Sequence, residues 1–78
     1  MPTVLRTRGY RFFFFSSDWR EPVHVHVEKA DSYAKFWLEP VALARSRGFR
    51  SRELTELAQL VSENRALFEE KWNEHFSG

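Results

Sequence analysis

The sequence predicts an α+β domain in which an antiparallel β-meander of three or four strands packs against one long C-terminal helix. Short runs of β-branched and aromatic residues separated by turn residues fill the first 40 positions, and apolar residues recur at helical spacing near the end. A chain of 78 residues has room for one core. We therefore expect residues 1–78 to form a single domain, with the sheet at about 3–40, a connecting segment at 41–50 and the helix at about 52–76.

Turn residues divide the predicted sheet into four strands. These strands are expected at Thr3–Thr7, Tyr10–Ser16, Val23–Lys29 and Tyr33–Glu39. Gly9 favours a tight turn between the first two strands. The stretch from Ser17 to Pro22 is predicted to be a loop, because its Ser and Asp side chains bond to nearby backbone and Pro22 has no amide hydrogen.

The second half of the chain has the periodicity of an amphipathic helix. Its apolar face is predicted to contain Leu54, Leu57, Val61, Phe68, Trp72 and Phe76. Ser51 is the expected N-cap, and no Pro or Gly interrupts the pattern before Gly78, which predicts one continuous helix. The connecting segment from Val41 to Arg50 is compatible with either a helical turn or a short strand.

Alternation along the strands predicts which residues share a face. Val23, Val25 and Val27 are expected in the core, with His24, His26 and Glu28 on the opposite face. The second predicted strand is apolar on both faces, because it contains four consecutive phenylalanines, Phe12–Phe15. One helix covers one face of a sheet, so the other face is expected to be buried by a second chain or by the segment Val41–Phe49. The candidate interface residues are Phe13, Phe15, Trp19 and Trp37.

The most specific local motif is His24-Val25-His26. Two imidazoles separated by one residue in a strand project from the same face, and Glu28 adds a carboxylate to that face. One interpretation is general acid–base catalysis on a phosphodiester, with Glu28 orienting an imidazole. The same three residues also suit a zinc or non-haem iron ion. A purely structural or interface role for the histidines is the third alternative.

A second motif is a cluster of arginines around Gly48 and Phe49. Its members are Arg45, Arg47, Arg50 and Arg52. Arginines interleaved with an aromatic residue can hold phosphates and stack on an unpaired base, which makes them candidate nucleic-acid-binding residues. Contacts with an acidic partner protein, or a solvated loop, would explain the cluster equally well.

Composition and charge narrow the class of protein. The absence of cysteine excludes disulfides and cysteine-based zinc sites, and the N-terminus lacks the apolar segment of a signal peptide, so we expect a cytoplasmic location. No apolar stretch is long enough to span a membrane, so no membrane partner is expected. The net charge of +1 conceals a basic body, with nine Lys and Arg against five acidic residues in positions 1–50, and an acidic C-terminal part.

Several segments together resemble the bacterial domain-of-unknown-function family 4160. The resemblance rests on Gly9–Phe14, Glu21–Val27, Ala34–Val41 and Gly48-Phe49, and it extends to Trp72 in the closing helix. Val23 departs from the family pattern, which more often has a second proline before its His-x-His motif. The resemblance implies a toxin component of a type II toxin–antitoxin module, encoded beside its antitoxin.

These observations combine into two functional hypotheses. The first is a toxin that cleaves RNA without a metal or other cofactor: His24 and His26 transfer protons, Glu28 orients them, and the arginine cluster holds phosphate. Its partners would be a cognate antitoxin and RNA, in a homodimer or a heterocomplex. The second is a non-enzymatic interaction module, an antitoxin or an inhibitor, whose aromatic and histidine face binds a partner protein.

Overall fold

The computed structural model describes residues 3–76 as a five-stranded antiparallel sheet followed by two helices. The elements are β1 (Thr3–Thr7), β2 (Tyr10–Phe13), β3 (His24–Lys29), β4 (Ser32–Leu38), β5 (Val41–Arg47), α1 (Ser51–Glu63) and α2 (Arg65–Phe76). Each strand pairs with the next one along the chain, so the sheet is a meander. The α+β class is confirmed. The predicted number of three or four strands and the single long helix are both wrong.

The additional strand is β5, which occupies most of the ambiguous connecting segment and forms one edge of the sheet. Its pairing with β4 aligns Lys35 with Arg45 and Tyr33 with Arg47. Gly48 follows β5 with a φ of +89°, and a Cβ there would lie 2.7 Å from Ser32 Oγ. Only glycine fits this approach, and its backbone conformation turns the chain from the sheet towards α1.

The helical half is divided at Asn64. The Asn64 side chain donates through Nδ2 to the carbonyl oxygen of Leu60 at 2.9 Å, and its backbone amide bonds to the same residue at 3.0 Å. The side-chain bond adds to the ordinary backbone bond at Leu60 and caps the last turn of α1, which ends without Pro or Gly. The Arg50 amide donates to Glu53 Oε1 at the start of α1, and Ser51, the expected N-cap, is its first helical residue. Neither described helix is long and apolar enough to cross a membrane.

The core lies between one face of the sheet and the two helices. The sheet contributes Tyr10, Phe12, Val25, Val27, Ala34, Phe36 and Leu38, and the helices contribute Leu57, Leu60, Val61 and Phe68. The Phe12 and Phe68 rings pack at a tilt of 34° with their centroids 5.1 Å apart. Phe14, just after β2, packs against Trp72 of α2 with the centroids 5.4 Å apart. Burial of this apolar set drives the sheet and helices together.

The opposite face of the sheet is partly covered by the chain's own loop between β2 and β3. This loop contains a short 3-10 turn (Asp18–Arg20). The Phe15 ring packs against the rings of Phe13 and His26, with centroids 5.2 and 4.6 Å away. The segment Val41–Arg47 does not cover this face, because it extends the sheet beside β4. Burial of the face by a second chain stays a prediction.

Tyr10 of β2 forms a side-chain hydrogen bond between the sheet and α1. Its hydroxyl donates to Glu56 Oε1 at 2.8 Å, and burial, together with the Glu56 carboxylate, raises the pKa of Tyr10 to about 12. Tyr10→Phe removes this bond, so we expect a midpoint of thermal unfolding about 2–6 °C lower at pH 7.

The pH dependence provides a second test of the Tyr10 bond. The tyrosine loses its proton near pH 10 in the unfolded chain but only near pH 12 in the fold, so its stabilising effect is present below pH 10 and is lost as the pH approaches 12. The difference between wild type and Tyr10→Phe should shrink over that interval. Thermal unfolding followed by circular dichroism measures it, and a constant difference would contradict the assignment.

Candidate active site

The two histidines of β3 alternate with the core residues Val25 and Val27 and lie in rows of cross-strand neighbours on the other face of the strand. His26 aligns with Phe13 of β2 and Lys35 of β4, and Lys35 aligns in turn with Arg45 of β5. His24 aligns with Trp37. Partners in antiparallel strands point to the same side of the sheet, so the register places an imidazole, an ammonium and a guanidinium next to one another.

Asp18 brings a carboxylate from the loop onto this face. The Phe15 amide donates to Asp18 Oδ2 at 2.7 Å, and the Asp18 amide donates back to the Phe15 carbonyl at 3.1 Å. This tight turn directs the carboxylate inward, where Asp18 is 8% exposed. Its two oxygens lie 3.0 and 3.1 Å from His26 Nε2, and Oδ1 lies 3.1 Å from His24 Nε2. Asp18, His24 and His26 are called the Asp–His cluster below.

His26 is hydrogen-bonded through both ring nitrogens. Its Nε2 faces the Asp18 carboxylate, and its Nδ1 lies 2.7 Å from the Tyr33 hydroxyl. An ionised carboxylate only accepts hydrogen bonds, so Nε2 carries the proton in the neutral ring and Nδ1 accepts the hydroxyl proton of Tyr33. The result is a chain of hydrogen bonds from Asp18 through His26 to Tyr33.

His24 is bonded through only one of its ring nitrogens. Its Nδ1 lies 2.8 Å from the carbonyl oxygen of Pro22, so this nitrogen must donate. Its Nε2 is buried and has no hydrogen-bond partner among residues 3–76, despite the short distance to Asp18. The His24 side chain is fully buried and packs edge-on against Trp37 and Trp72. In the neutral ring, therefore, a nitrogen lone pair faces a carboxylate across 3.1 Å.

The cluster shifts the protonation of two of its members. Burial acts to raise the pKa of Asp18, but the bonds from the Phe15 amide and His26 outweigh it and hold that pKa below its usual range. Burial lowers the pKa of His26, and the Asp18 carboxylate opposes only part of this effect. Both shifts favour an ionised Asp18 beside a neutral His26 at neutral pH.

A pocket of about 350 Å³ opens in front of His26. It is lined by Phe15, Ser17, Asp18, Arg20, Glu21, His26, Lys35 and Arg45. An adjoining pocket of about 460 Å³ shares Phe15 and Arg45 and adds Tyr33, Ser46 and Arg47. Three cationic side chains line the first pocket: Arg20, Lys35 and Arg45. Lys35 also forms an ion pair with Glu21, and the buried residues Asp18 and His26 form the floor of the pocket. Both pockets are large enough for part of a small anionic ligand.

The structure brings only some of the predicted catalytic and phosphate-binding residues together. Glu28 forms an ion pair with Arg11, and Asp18 contacts the imidazoles in the position that the sequence suggested for Glu28. Arg45 and Arg47 line the two pockets. Arg50 immediately precedes α1 and Arg52 lies in its first turn, and neither is among the residues that line these pockets.

The predicted interface residues differ in their exposure. Trp19 is 60% exposed and Phe15 is 36% exposed, beside the pocket. Phe13 is 2% exposed and lies beneath the chain's own Phe15 ring. Trp37 is half-buried, between His24 and the ammonium group of Lys35, which lies 4.5 Å from its ring centroid.

The sequence motifs do not single out Asp18, Tyr33 or Lys35 as members of the site. Asp18 was assigned only to a loop, since no local pattern indicates which way a loop carboxylate points. Alternation along β4 places Lys35, and by the same spacing Tyr33, on the face of the histidines, which the register confirms. Their role depends on the register between β3 and β4, which the sequence pattern leaves open.

Fold and site together define a small α+β domain. Its Asp–His cluster lies at the base of a basic pocket, on the face of the sheet opposite the apolar core. The chain belongs to the family described as domain of unknown function DUF4160, whose model matches residues 9–73. The matched region contains every residue of the Asp–His cluster and of the pocket in front of it. Searches of curated proteins and of solved structures each found no match to this chain.

Proposed function

We propose that this chain is the toxin component of a toxin–antitoxin module and cleaves RNA at the pocket in front of His26. One observation carries the proposal: a single pocket combines an imidazole–carboxylate pair with three cations. Proton transfer and phosphate binding are the two requirements of phosphodiester cleavage. The toxin role is supported by the resemblance of the sequence to family 4160.

The cations account for binding of the RNA backbone. Arg45 is exposed at the boundary of the two pockets, where its guanidinium can donate two parallel hydrogen bonds to a phosphate. Arg20 and Lys35 border the same pocket, and Glu21 neutralises part of the Lys35 charge. Arg47 extends the positive surface along β5, in the direction that a neighbouring phosphate would follow.

The Asp–His cluster accounts for the chemistry. We propose that the ribose 2′-hydroxyl passes its proton through the Tyr33 hydroxyl to His26 Nδ1, so that the 2′ oxygen attacks the adjacent phosphorus. The bond from phosphorus to the 5′ oxygen breaks, and the leaving 5′ oxygen takes up a proton from water. Asp18 holds His26 in one orientation and one tautomer, which lowers the cost of reaching the reactive geometry. His26 is 3% exposed, and its position at the pocket floor limits competing contact with bulk water.

The proposal is tested by incubating the purified chain with single-stranded RNA and by expressing it without a partner gene. We expect RNA cleavage and growth arrest. His26→Gln should lower the cleavage rate by about 100-fold or more, because it removes acid–base catalysis. Arg45→Ala should lower it by about 10–100-fold, the value of a charged hydrogen bond to phosphate.

Arg6→Ala is the matched control, because Arg6 is an exposed arginine on β1, four strands away from β5. This variant should cleave RNA like the wild type. Growth arrest that persists in the double variant His24→Ala, His26→Ala would refute the proposal. Equal losses in Arg6→Ala and Arg45→Ala would show that the pocket has no special role in binding.

A second candidate function, a protein-interaction module, is favoured by the exposed indole of Trp19. An aromatic side chain this exposed beside a polar pocket is a typical anchor for a partner protein. Co-purification with the product of the neighbouring gene tests it. Loss of the complex in Trp19→Ala, combined with no RNA cleavage by the free chain, would favour the interaction module over the nuclease.

A further inference from the structure

We infer that Asp18, His24 and His26 form a binding site for one divalent transition-metal ion, for which zinc is the appropriate probe. The binding inference rests on the donor atoms of the cluster alone. Only its catalytic consequence rests on the proposed RNA cleavage. The sequence left a metal open as one alternative for the His24-Val25-His26 motif, and the structure provides Asp18 as the third donor.

The donor atoms lie close enough together to converge on one ion. One ligand atom from each residue lies within 4.8 Å of the other two. The carboxylate oxygens lie 3.0 and 3.1 Å from the nearest imidazole nitrogens. Ligands about 2.0–2.2 Å from a zinc ion are separated from each other by about 3.3 Å in a tetrahedron, so small side-chain adjustments bring all three atoms to bonding distance.

The unpartnered nitrogen of His24 is the second observation that points to a metal. The His24 side chain is 0% exposed, and its Nε2 faces the Asp18 carboxylate without a hydrogen bond from residues 3–76. When the His24 ring is neutral, its buried lone pair facing an anion is unfavourable, because neither group has a proton to share. A cation between them would turn this repulsion into two attractive bonds.

The other nitrogen of each ring has the partner that metal-binding histidines usually have. His24 Nδ1 donates to the Pro22 carbonyl, and His26 Nδ1 lies 2.7 Å from the Tyr33 hydroxyl. Such bonds orient the imidazole and direct the free lone pair of Nε2 at the ion. With an ion on His26 Nε2, the ring proton moves to Nδ1 and the Tyr33 oxygen becomes its acceptor.

The chemistry of the donors selects the class of ion. Two imidazoles and one carboxylate suit zinc or ferrous iron, whereas magnesium and calcium prefer oxygen ligands. Three protein ligands are the number found in catalytic zinc sites, which leave a position for water. Asp18 and His26 both line the pocket, so that position is on the side where RNA would bind. In the proposed nuclease, water on the ion would then act as the base.

Zinc is titrated into the chain after treatment with a chelator. Binding is measured by calorimetry and by the shift in the midpoint of thermal unfolding. We expect about one ion per chain and a higher midpoint with zinc, because the ion binds the folded state. Asp18→Asn and His24→Gln should each weaken zinc binding by more than the roughly 10–100-fold lost when an outer partner of a metal ligand is removed. Cobalt in place of zinc should give the visible absorption of a site with nitrogen and oxygen ligands.

His75→Gln is the matched control, because His75 is an exposed histidine on α2 outside the cluster. It should bind zinc like the wild type. Circular dichroism of the metal-free variants identifies any that fail to fold, and Asp18→Asn keeps the inference testable if His24→Gln is one of these. Wild-type binding that is absent, or that persists unchanged in a folded Asp18→Asn variant, would overturn the inference. Zinc binding without RNA cleavage would refute only the proposed function, and cleavage without zinc binding would refute only the metal site.

Discussion

Truncation of Phe68 to alanine is expected to lower the free energy of unfolding by about 3–5 kcal/mol. Phe68 is fully buried, and it is the one residue that α2 buries completely among those described. Its ring packs on Phe12 with the centroids 5.1 Å apart. Removing the ring leaves a cavity between α2 and the sheet that rigid neighbours cannot fill.

This loss is large relative to the net free energy of unfolding of a folded domain, which is about 5–15 kcal/mol. We therefore expect Phe68→Ala to unfold at much lower urea concentration, as measured by the fluorescence of the three tryptophans, of which Trp72 is on the same helix. Leu43→Ala serves as the comparison, because Leu43 is 44% exposed and should cost about 0.5 kcal/mol or less. A loss below 1 kcal/mol for Phe68→Ala would contradict the described packing of α2.

Asp18→Ala and Asp18→Asn are expected to separate the structural role of Asp18 from its chemical role. Alanine leaves the Phe15 amide and His26 Nε2 without their acceptor in a buried place, so we expect a loss of about 2–5 kcal/mol. Asparagine keeps the shape and one acceptor oxygen, and it should cost about 1 kcal/mol. Urea denaturation of both variants measures the difference.

The asparagine variant should nevertheless lose the proposed RNA-cleaving activity. In the metal-free site, an amide group that donates towards His26 Nε2 forces the proton of the neutral ring to Nδ1, which reverses the hydrogen bond with Tyr33 and removes the base of the proposed reaction. We expect RNA cleavage to fall by about 100-fold or more, which a cleavage assay on folded protein measures. Asp31→Asn, in the exposed turn between β3 and β4, should change neither stability nor cleavage. Full activity of Asp18→Asn would exclude Asp18 from the reactive centre.

Local periodicity predicted much of the architecture. Alternation along β3 assigned Val25 and Val27 to the core and the two histidines to the other face, which the register confirms. Periodicity did not predict an element that has few apolar residues, nor the end of a helix that is capped by a side-chain hydrogen bond. The edge strand β5 has an exposed Leu43 and three exposed charged or polar residues at its end, so it has no clear hydrophobic pattern. The break at Asn64 depends on a side-chain bond to Leu60.

The sequence by itself determined the α+β class, the faces on which the residues of β3 lie, and the pair of histidines as the most specific local motif. These properties follow from the periods of strand and helix, which involve only near neighbours. Tertiary structure alone decided that Asp18, eight residues from His26, contacts both imidazoles. It likewise decided that Glu28 pairs with Arg11 and that Lys35 and Arg45 border the pocket. The reason is that loop conformation and strand register depend on contacts distant in sequence, and only the folded chain brings them together.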